Sequence, residues 1–217
     1  MRILVLRILT SIAAITFVAM VSFAQTKPAP KEIFFDSDGN QLSNNEFFDI
    51  RVANFNYPDA TIINTFPDGR KEFRLQKVPQ EGMAAPDVSV KTIDGKTLRL
   101  GELRGKVVVL NFWFIGCAVC RAQKPQLDAF KARFSGSDVV FLAMTEDPES
   151  EVEKFLKKVP SDYLQAADAR EAMSKFSFRG FPKNLVIDKH GKIVYWRSSI
   201  KAWDKFESVV RAELGKN

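Results

Sequence analysis

Histidine and cysteine are scarce in this chain: its 217 residues hold one His and two Cys. Two cysteines cannot build a disulfide-dense scaffold, and with a single histidine they cannot fill a four-ligand structural zinc site without carboxylates. Long runs of one charge are missing too. The 32 Lys and Arg outweigh 26 Asp and Glu by a formal +6, but no basic cluster exceeds a few residues, so no nucleic-acid partner is expected. Beyond the first two dozen residues there is no apolar run long enough to span a bilayer. What remains, 46% hydrophobic and 27% charged, is the composition of a packed globular protein, and the length suits one full domain plus appendages. No internal repeat is visible.

Residues 1–24 form the one long apolar stretch, with Arg2 and Arg7 at its front and no acidic residue. Ser22 and Ala24 place small residues three and one positions before a cut after Ala24, the pattern of a secretory signal peptide. The alternative is an uncleaved anchor, since about 20 residues suffice to cross a bilayer. Either way the rest of the chain is expected to face outward, in a periplasm or at the outer face of a bacterial membrane. In that oxidising setting a thiol pair can persist as a disulfide. Cleavage would lower the net charge from +6 to +4. Residues 25–31, with Pro28 and Pro30 and no apolar periodicity, read as a flexible leader.

Residues 32–80 read as a small β-rich extension, too short to be a secure independent domain. Its expected elements are a strand at Ile33–Phe35, a turn over Asp36–Asn40, and one or two helical turns opening at Ser43. A hairpin follows, Ala60–Phe66 and Glu72–Val78 around Pro67-Asp68-Gly69-Arg70. The Asp36-x-Asp38-Gly39 run is a plain turn rather than a calcium loop, because the glycine comes too early and the bidentate glutamate is missing.

From residue 82 to 217 strands and helices alternate. A hairpin is expected at Val88–Val90 and Thr97–Leu100 around Asp94-Gly95, then a continuous apolar run from Lys106 to Phe112 that belongs in a sheet buried on both faces. Further expected elements are helix 118–134, strand 139–144, a helix opening near Asp147-Pro148, helix 170–176, a hairpin of strands 184–187 and 193–196, and helix 202–214. This order means α/β, with the closing hairpin making the central sheet mixed. His190 falls in the hairpin turn, where exposure is the usual state.

The chemistry lies where the apolar run meets the first long helix, in Asn111-Phe112-Trp113-Phe114-Ile115-Gly116-Cys117-Ala118-Val119-Cys120. A cysteine at a helix N-terminus faces unpaired N–H groups and the positive end of the dipole, which pull its pKa below the free value of ~8.5. Cys117 is therefore the expected nucleophile. Cys120, one turn into the helix, is the resolving thiol that can attack a mixed disulfide formed at Cys117. Arg121 and Lys124 are expected to be solvated. As a staple, a bridge closing so short a loop would stabilise little. Haem attachment requires a histidine after the second cysteine, where Arg121 stands. A peroxide-reducing site would want a hydroxyl donor, and Phe114 stands three residues before Cys117.

Gly82-Met83-Ala84-Ala85-Pro86-Asp87, Leu103-Arg104-Gly105-Lys106-Val107-Val108, Asn111-Phe112-Trp113, the Cys117/Cys120 pair, Pro125 five residues after it and Gly180-Phe181-Pro182 together resemble the extracytoplasmic thioredoxin-like proteins of the TlpA/ResA type, over about residues 82–215. The resemblance implies a thioredoxin-like α/β fold and thiol-disulfide exchange with exported proteins, commonly reduction and including that of cytochrome c precursors. Electrons would come from a membrane thiol donor, with transient membrane association and no cofactor beyond the redox-active disulfide. It also implies a cis Pro182 beside that disulfide, with Phe181 offering main-chain groups to a substrate, an apolar rim at Trp113 and Phe114, and structural roles near the site for Asn111, Gly116 and Pro125. The chain departs from the family where Asn111 replaces a buried aspartate, where Gln123 replaces an acidic residue, and where Ala118-Val119 separates the cysteines without the usual proline. Two other readings stand beside this one, a binding or assembly module with a vestigial redox site and a thiol-dependent peroxidase.

Overall fold

The computed structural model describes residues 32–53, 61–75, 80–134 and 138–216. The expected export segment 1–24 and leader 25–31 lie outside them, as do Ala60 and the end of the second strand of the first hairpin. Among the described residues, no helix is long and apolar enough to cross a membrane.

The elements run β1 (Glu32–Phe35), β2 (Gln41–Leu42), α1 (Asn44–Ala53), β3 (Thr61–Thr65), β4 (Lys71–Leu75), β5 (Ser89–Lys91), β6 (Thr97–Arg99), β7 (Val107–Trp113), α2 (Ala118–Ala132), β8 (Val139–Thr145), α3 (Glu149–Leu156), β9 (Leu164–Ala166), α4 (Arg170–Ser174), β10 (Lys183–Ile187), β11 (Ile193–Arg197) and α5 (Trp203–Gly215). The main sheet has the order β11-β10-β7-β8-β9, with β7, β8 and β9 parallel and β10 antiparallel to both β7 and β11. The expected mixed α/β sheet is present. All seven residues of β7 are buried, and their alternation divides them between two cores. Val107, Val109 and Trp113 pack with Leu127 and Phe130 of α2 and Phe206 and Val210 of α5. Val108, Leu110 and Phe112 pack on the other face with Val88, Leu100, Met173 and Phe176.

Several boundaries differ from expectation. Helix α2 stops at Ala132 and α4 at Ser174, while Pro148, at φ −61, caps α3 from outside. Strand β9 was not expected: it is three residues long, and its central Gln165 is a buried polar side chain that donates to the Tyr163 carbonyl at 3.0 Å. Such a segment carries neither an apolar run nor alternation.

The extension forms its own sheet, β2-β1-β4-β3, in which β1 runs parallel to β4. Its small core stacks Phe34 on Phe47 and Phe73, each with ring centroids 5.0 Å apart. Helix α1 is longer than the one or two turns expected, and a reciprocal cap opens it: Glu46 N donates to Ser43 Oγ at 3.2 Å and Ser43 N to Glu46 Oε2 at 2.8 Å. The Asp36 turn is indeed a turn, with Oδ1 accepting from the backbone N–H of Asp38 and Asn40. The extension is tied to the main sheet through Arg197 of β11. Its guanidinium is buried and lies 2.6 Å from both Asp38 Oδ2 and Glu81 Oε1. Lys201 reaches Glu46 at 2.7 Å.

Removing one partner of a buried ion pair strands the others, which costs on the order of 3–5 kcal/mol. We expect Arg197→Ala to lose about 3 kcal/mol in urea unfolding and to make the chain before residue 80 sensitive to limited proteolysis. A loss below about 1 kcal/mol, the level of a surface pair, would show that Arg197 does not hold the extension.

Candidate functional site

Strand β7 ends at Trp113, and the chain crosses Phe114–Gly116 before α2 opens at Cys117. Cys117 is the cap of α2, in extended conformation at φ −77 and ψ 105, and its sulfur accepts from Cys120 N–H at 3.0 Å. The loop before it is pinned by Asp147, whose Oδ2 accepts from Ile115 N–H and from the Thr145 hydroxyl, each at 2.7 Å. The two cysteines are joined as a disulfide with Cα atoms 5.2 Å apart. Cys117 is 8% exposed and Cys120 2%, so an incoming sulfur can approach only the first of them. In the reduced state the Cys120 N–H and the helix N-terminus stabilise a thiolate at that same atom.

The register of the sheet brings the other half of the site across. Lys183 pairs with Phe112 and Asn184 with Asn111, which sets Phe181 and Pro182 beside the loop that leaves β7. The Phe181–Pro182 peptide is cis, and Gly180 before it has φ +71, a left-handed conformation that suits glycine. The Phe114 ring meets the Phe181 ring edge-on at 5.1 Å. Both are half-buried, and Pro182 is buried. Gly116 is exposed and lies so close to Phe114 that an added Cβ would stand 3.0 Å from its ring. Pro125 lies on the exposed side of α2.

Trp113 differs from expectation. It is 1% exposed, on the core side of β7, and its ring packs 5.5 Å from Phe155. Its place in the alternation, matching Val107 and Val109, puts it on the α2 and α5 face of a strand buried on both sides, so it is not part of an apolar rim. Lys124 differs as well: it is 4% exposed, with Nζ 4.4 Å above the centre of the Trp113 ring, a cation–π contact. Arg121 is exposed as expected. Burial lowers the Lys124 pKa from 10.5 to about 8, against the pull of Asp128.

Asn111 sits in a neutral buried network. Its Nδ2 donates to Asn184 Oδ1 at 3.0 Å, and Asn184 Nδ2 in turn donates to the Ser198 carbonyl at 3.0 Å and to Gln123 Oε1 at 3.3 Å. Two of the three positions where the chain departs from the pattern it resembles, Asn111 and Gln123, are thus bridged by one residue, Asn184, which sequence reading passed over. The network is satisfied without a charge. One helical turn beyond Cys120 lies the buried amine of Lys124, whose pKa burial lowers to about 8.

A lysine with a lowered folded pKa binds fewer protons in the native state than in the unfolded chain, so stability rises as pH climbs from about 8 toward 10.5. Tyr195, whose pKa burial raises, acts in the opposite sense above its ordinary value. The difference between wild type and Lys124→Met isolates the lysine. We expect Lys124→Met to be the more stable at pH 7 by about 1–2 kcal/mol, and that advantage to shrink by pH 9.5. An advantage independent of pH would mean that the amine has the same pKa folded and unfolded, so that burial does not lower it.

The Redoxin family profile matches residues 80–209. The thiol-disulfide oxidoreductase ResA of Bacillus cereus is 31% identical over 117 residues, 53% of this chain and 68% of that protein. The thioredoxin domain of a thiol-disulfide oxidoreductase from Bacteroides vulgatus superposes with a TM-score of 0.54 at 25% identity, over 60% of this chain and 97% of that one. An exposed lipoprotein thioredoxin of Streptococcus pneumoniae superposes with a TM-score of 0.52 at 26% identity, over 58% and 99%.

Proposed function

Because the chain belongs to the Redoxin family, we propose that it is a thioredoxin-like thiol-disulfide oxidoreductase that reduces disulfides of exported proteins, cytochrome c precursors among them. The observation that carries this reading is the Cys117–Cys120 disulfide at the N-terminus of α2, beside the cis Phe181–Pro182 peptide. The reaction starts from the dithiol. The Cys117 thiolate attacks one sulfur of the substrate disulfide; that bond breaks and the other substrate sulfur leaves as a thiolate, which takes up a proton. The Cys120 thiolate then attacks Cys117 Sγ and the mixed disulfide breaks, releasing the second substrate thiol. Two electrons have passed to the substrate, and Cys117–Cys120 is oxidised. No cofactor beyond the disulfide is required.

During the mixed-disulfide stage the substrate backbone lies against Phe181 and Pro182, with the Phe114 ring at the edge. The proton lost by Cys120 goes to water, since Asn111, Asn184 and Gln123 cannot take it and Lys124, with a pKa of about 8, is largely protonated at neutral pH. A membrane thiol donor returns the pair to the dithiol by the same exchange in reverse. The export-like residues 1–24 and the likeness to an exposed lipoprotein thioredoxin support a place in the periplasm or on the outer face of the membrane.

A Cys120→Ser variant halts the reaction after the first attack. We expect it to accumulate a mixed disulfide between Cys117 and partner proteins, seen as a reductant-sensitive mass increase, whereas Cys117→Ser forms none. Absence of any adduct in Cys120→Ser would favour the binding-module reading, and thiol-dependent peroxide consumption by the wild type would favour a peroxidase.

A further inference from the structure

Beside the disulfide a cavity of about 420 Å³ opens between the main sheet and the extension, a size within the ~300–1,000 Å³ of ligand clefts. One wall belongs to the redox site: Val119, exposed between the two cysteines, with Phe181 and Pro182. The opposite wall is the extension, contributing Leu42 from β2 and Ile50 and Val52 from α1. Most charged side chains that also line it are engaged within the protein, while Arg179 stands exposed at its edge. Arg197 holds Asp38 and Glu81, Lys201 holds Glu46, and Lys183 donates to the Ser198 hydroxyl at 2.5 Å. The surface left for an occupant is therefore mostly apolar.

We propose that α1 and the Phe181–Pro182 loop form a substrate-selecting groove for an extended polypeptide segment whose half-cystine is flanked by apolar residues. This deepens the oxidoreductase reading and rests on it. The occupant follows from continuity: the groove begins at Val119, within the dipeptide that separates the reacting sulfurs, so a chain whose disulfide reaches Cys117 must lay its neighbouring residues there. An apolar side chain entering between Val119 and Val52 removes apolar surface from water on both sides, and an acidic one at that place forfeits this gain. The selecting wall lies in residues 42–52, ahead of the segment matched by the Redoxin family. It is held in place by the Ser43–Glu46 cap and by the Arg197 and Lys201 ion pairs. Selection is thus a property this chain adds to a shared reaction.

The test is single-turnover oxidation of the pre-reduced full chain by three disulfides: hydroxyethyl disulfide, and two peptide disulfides identical except for Leu or Asp on either side of the cysteine. Val52, 41% exposed, is replaced by Glu; Phe48, on the same helix, 61% exposed and outside the groove, is the control. We expect the wild type and Phe48→Glu to react about tenfold faster with the Leu peptide than with the Asp peptide, the discrimination one apolar contact supplies, and Val52→Glu to bring that ratio close to one. A wild-type ratio near one, or a ratio unchanged in Val52→Glu, overturns the groove while hydroxyethyl disulfide still oxidises the dithiol. Failure to react even with hydroxyethyl disulfide overturns the oxidoreductase reading itself. A second copy seated in the groove would appear in sedimentation as a dimer that Val52→Glu dissociates, and would overturn the assignment to substrate.

Discussion

The antiparallel register between β7 and β10 is the constraint on which the site depends. Buried on both faces, β7 cannot slip by one residue without exchanging Val107, Val109 and Trp113 for Val108, Leu110 and Phe112 between two differently shaped cores. Its pairing of Phe112 with Lys183 then fixes where β10 begins, and hence where the cis Phe181–Pro182 peptide sits relative to Cys117. The cysteines and the proline loop, some 60 residues apart in sequence, are brought together by strand pairing rather than by any direct bond between them. Asp147 at the end of β8 makes a similar contribution, because β8 is parallel to β7 and delivers its carboxylate to the loop just ahead of the helix.

The electrostatic character of the site follows from which polar groups that register buries. Asn111 and Asn184 face each other across β7 and β10, and Gln123 of α2 completes a neutral chain of amides. Among the described residues, no carboxylate hydrogen-bonds to these three amides. The buried amine of Lys124 lies over Trp113 instead, its pKa lowered by burial to about 8. The N-terminal extension is tied to β11 through the Arg197–Asp38 ion pair, and in the proposed groove it would shape what can approach the sulfurs.

Much of this was legible beforehand because it rests on local signals. The apolar run of β7, the cysteine pair at a strand-to-helix junction and the Asp94-Gly95 and Lys189-His190-Gly191 turns each announce themselves within ten residues. Trp113 extends by one residue the run expected to be buried on both faces, and that continuity, rather than parity, is what takes it inward. Lys124, Asn184 and the Arg197 clamp were not legible. A single polar residue in an amphipathic helix or a buried strand gives no sign of which neighbours will face it, and Arg197 meets Asp38 from 159 positions away. The parallel pairing of β1 with β4 is hidden for the same reason, since only the intervening chain's path decides it.

In the proposed reaction the Cys117–Cys120 pair works as a donor of electrons. The most direct test is its reduction potential, measured by equilibrating the protein against a glutathione or dithiothreitol series with acid trapping and mass readout. An electron-donating pair shows a reversible two-electron step at or below about −230 mV, in the range of thioredoxins and glutaredoxins. A value near about −120 mV, that of a strong disulfide donor, would contradict it.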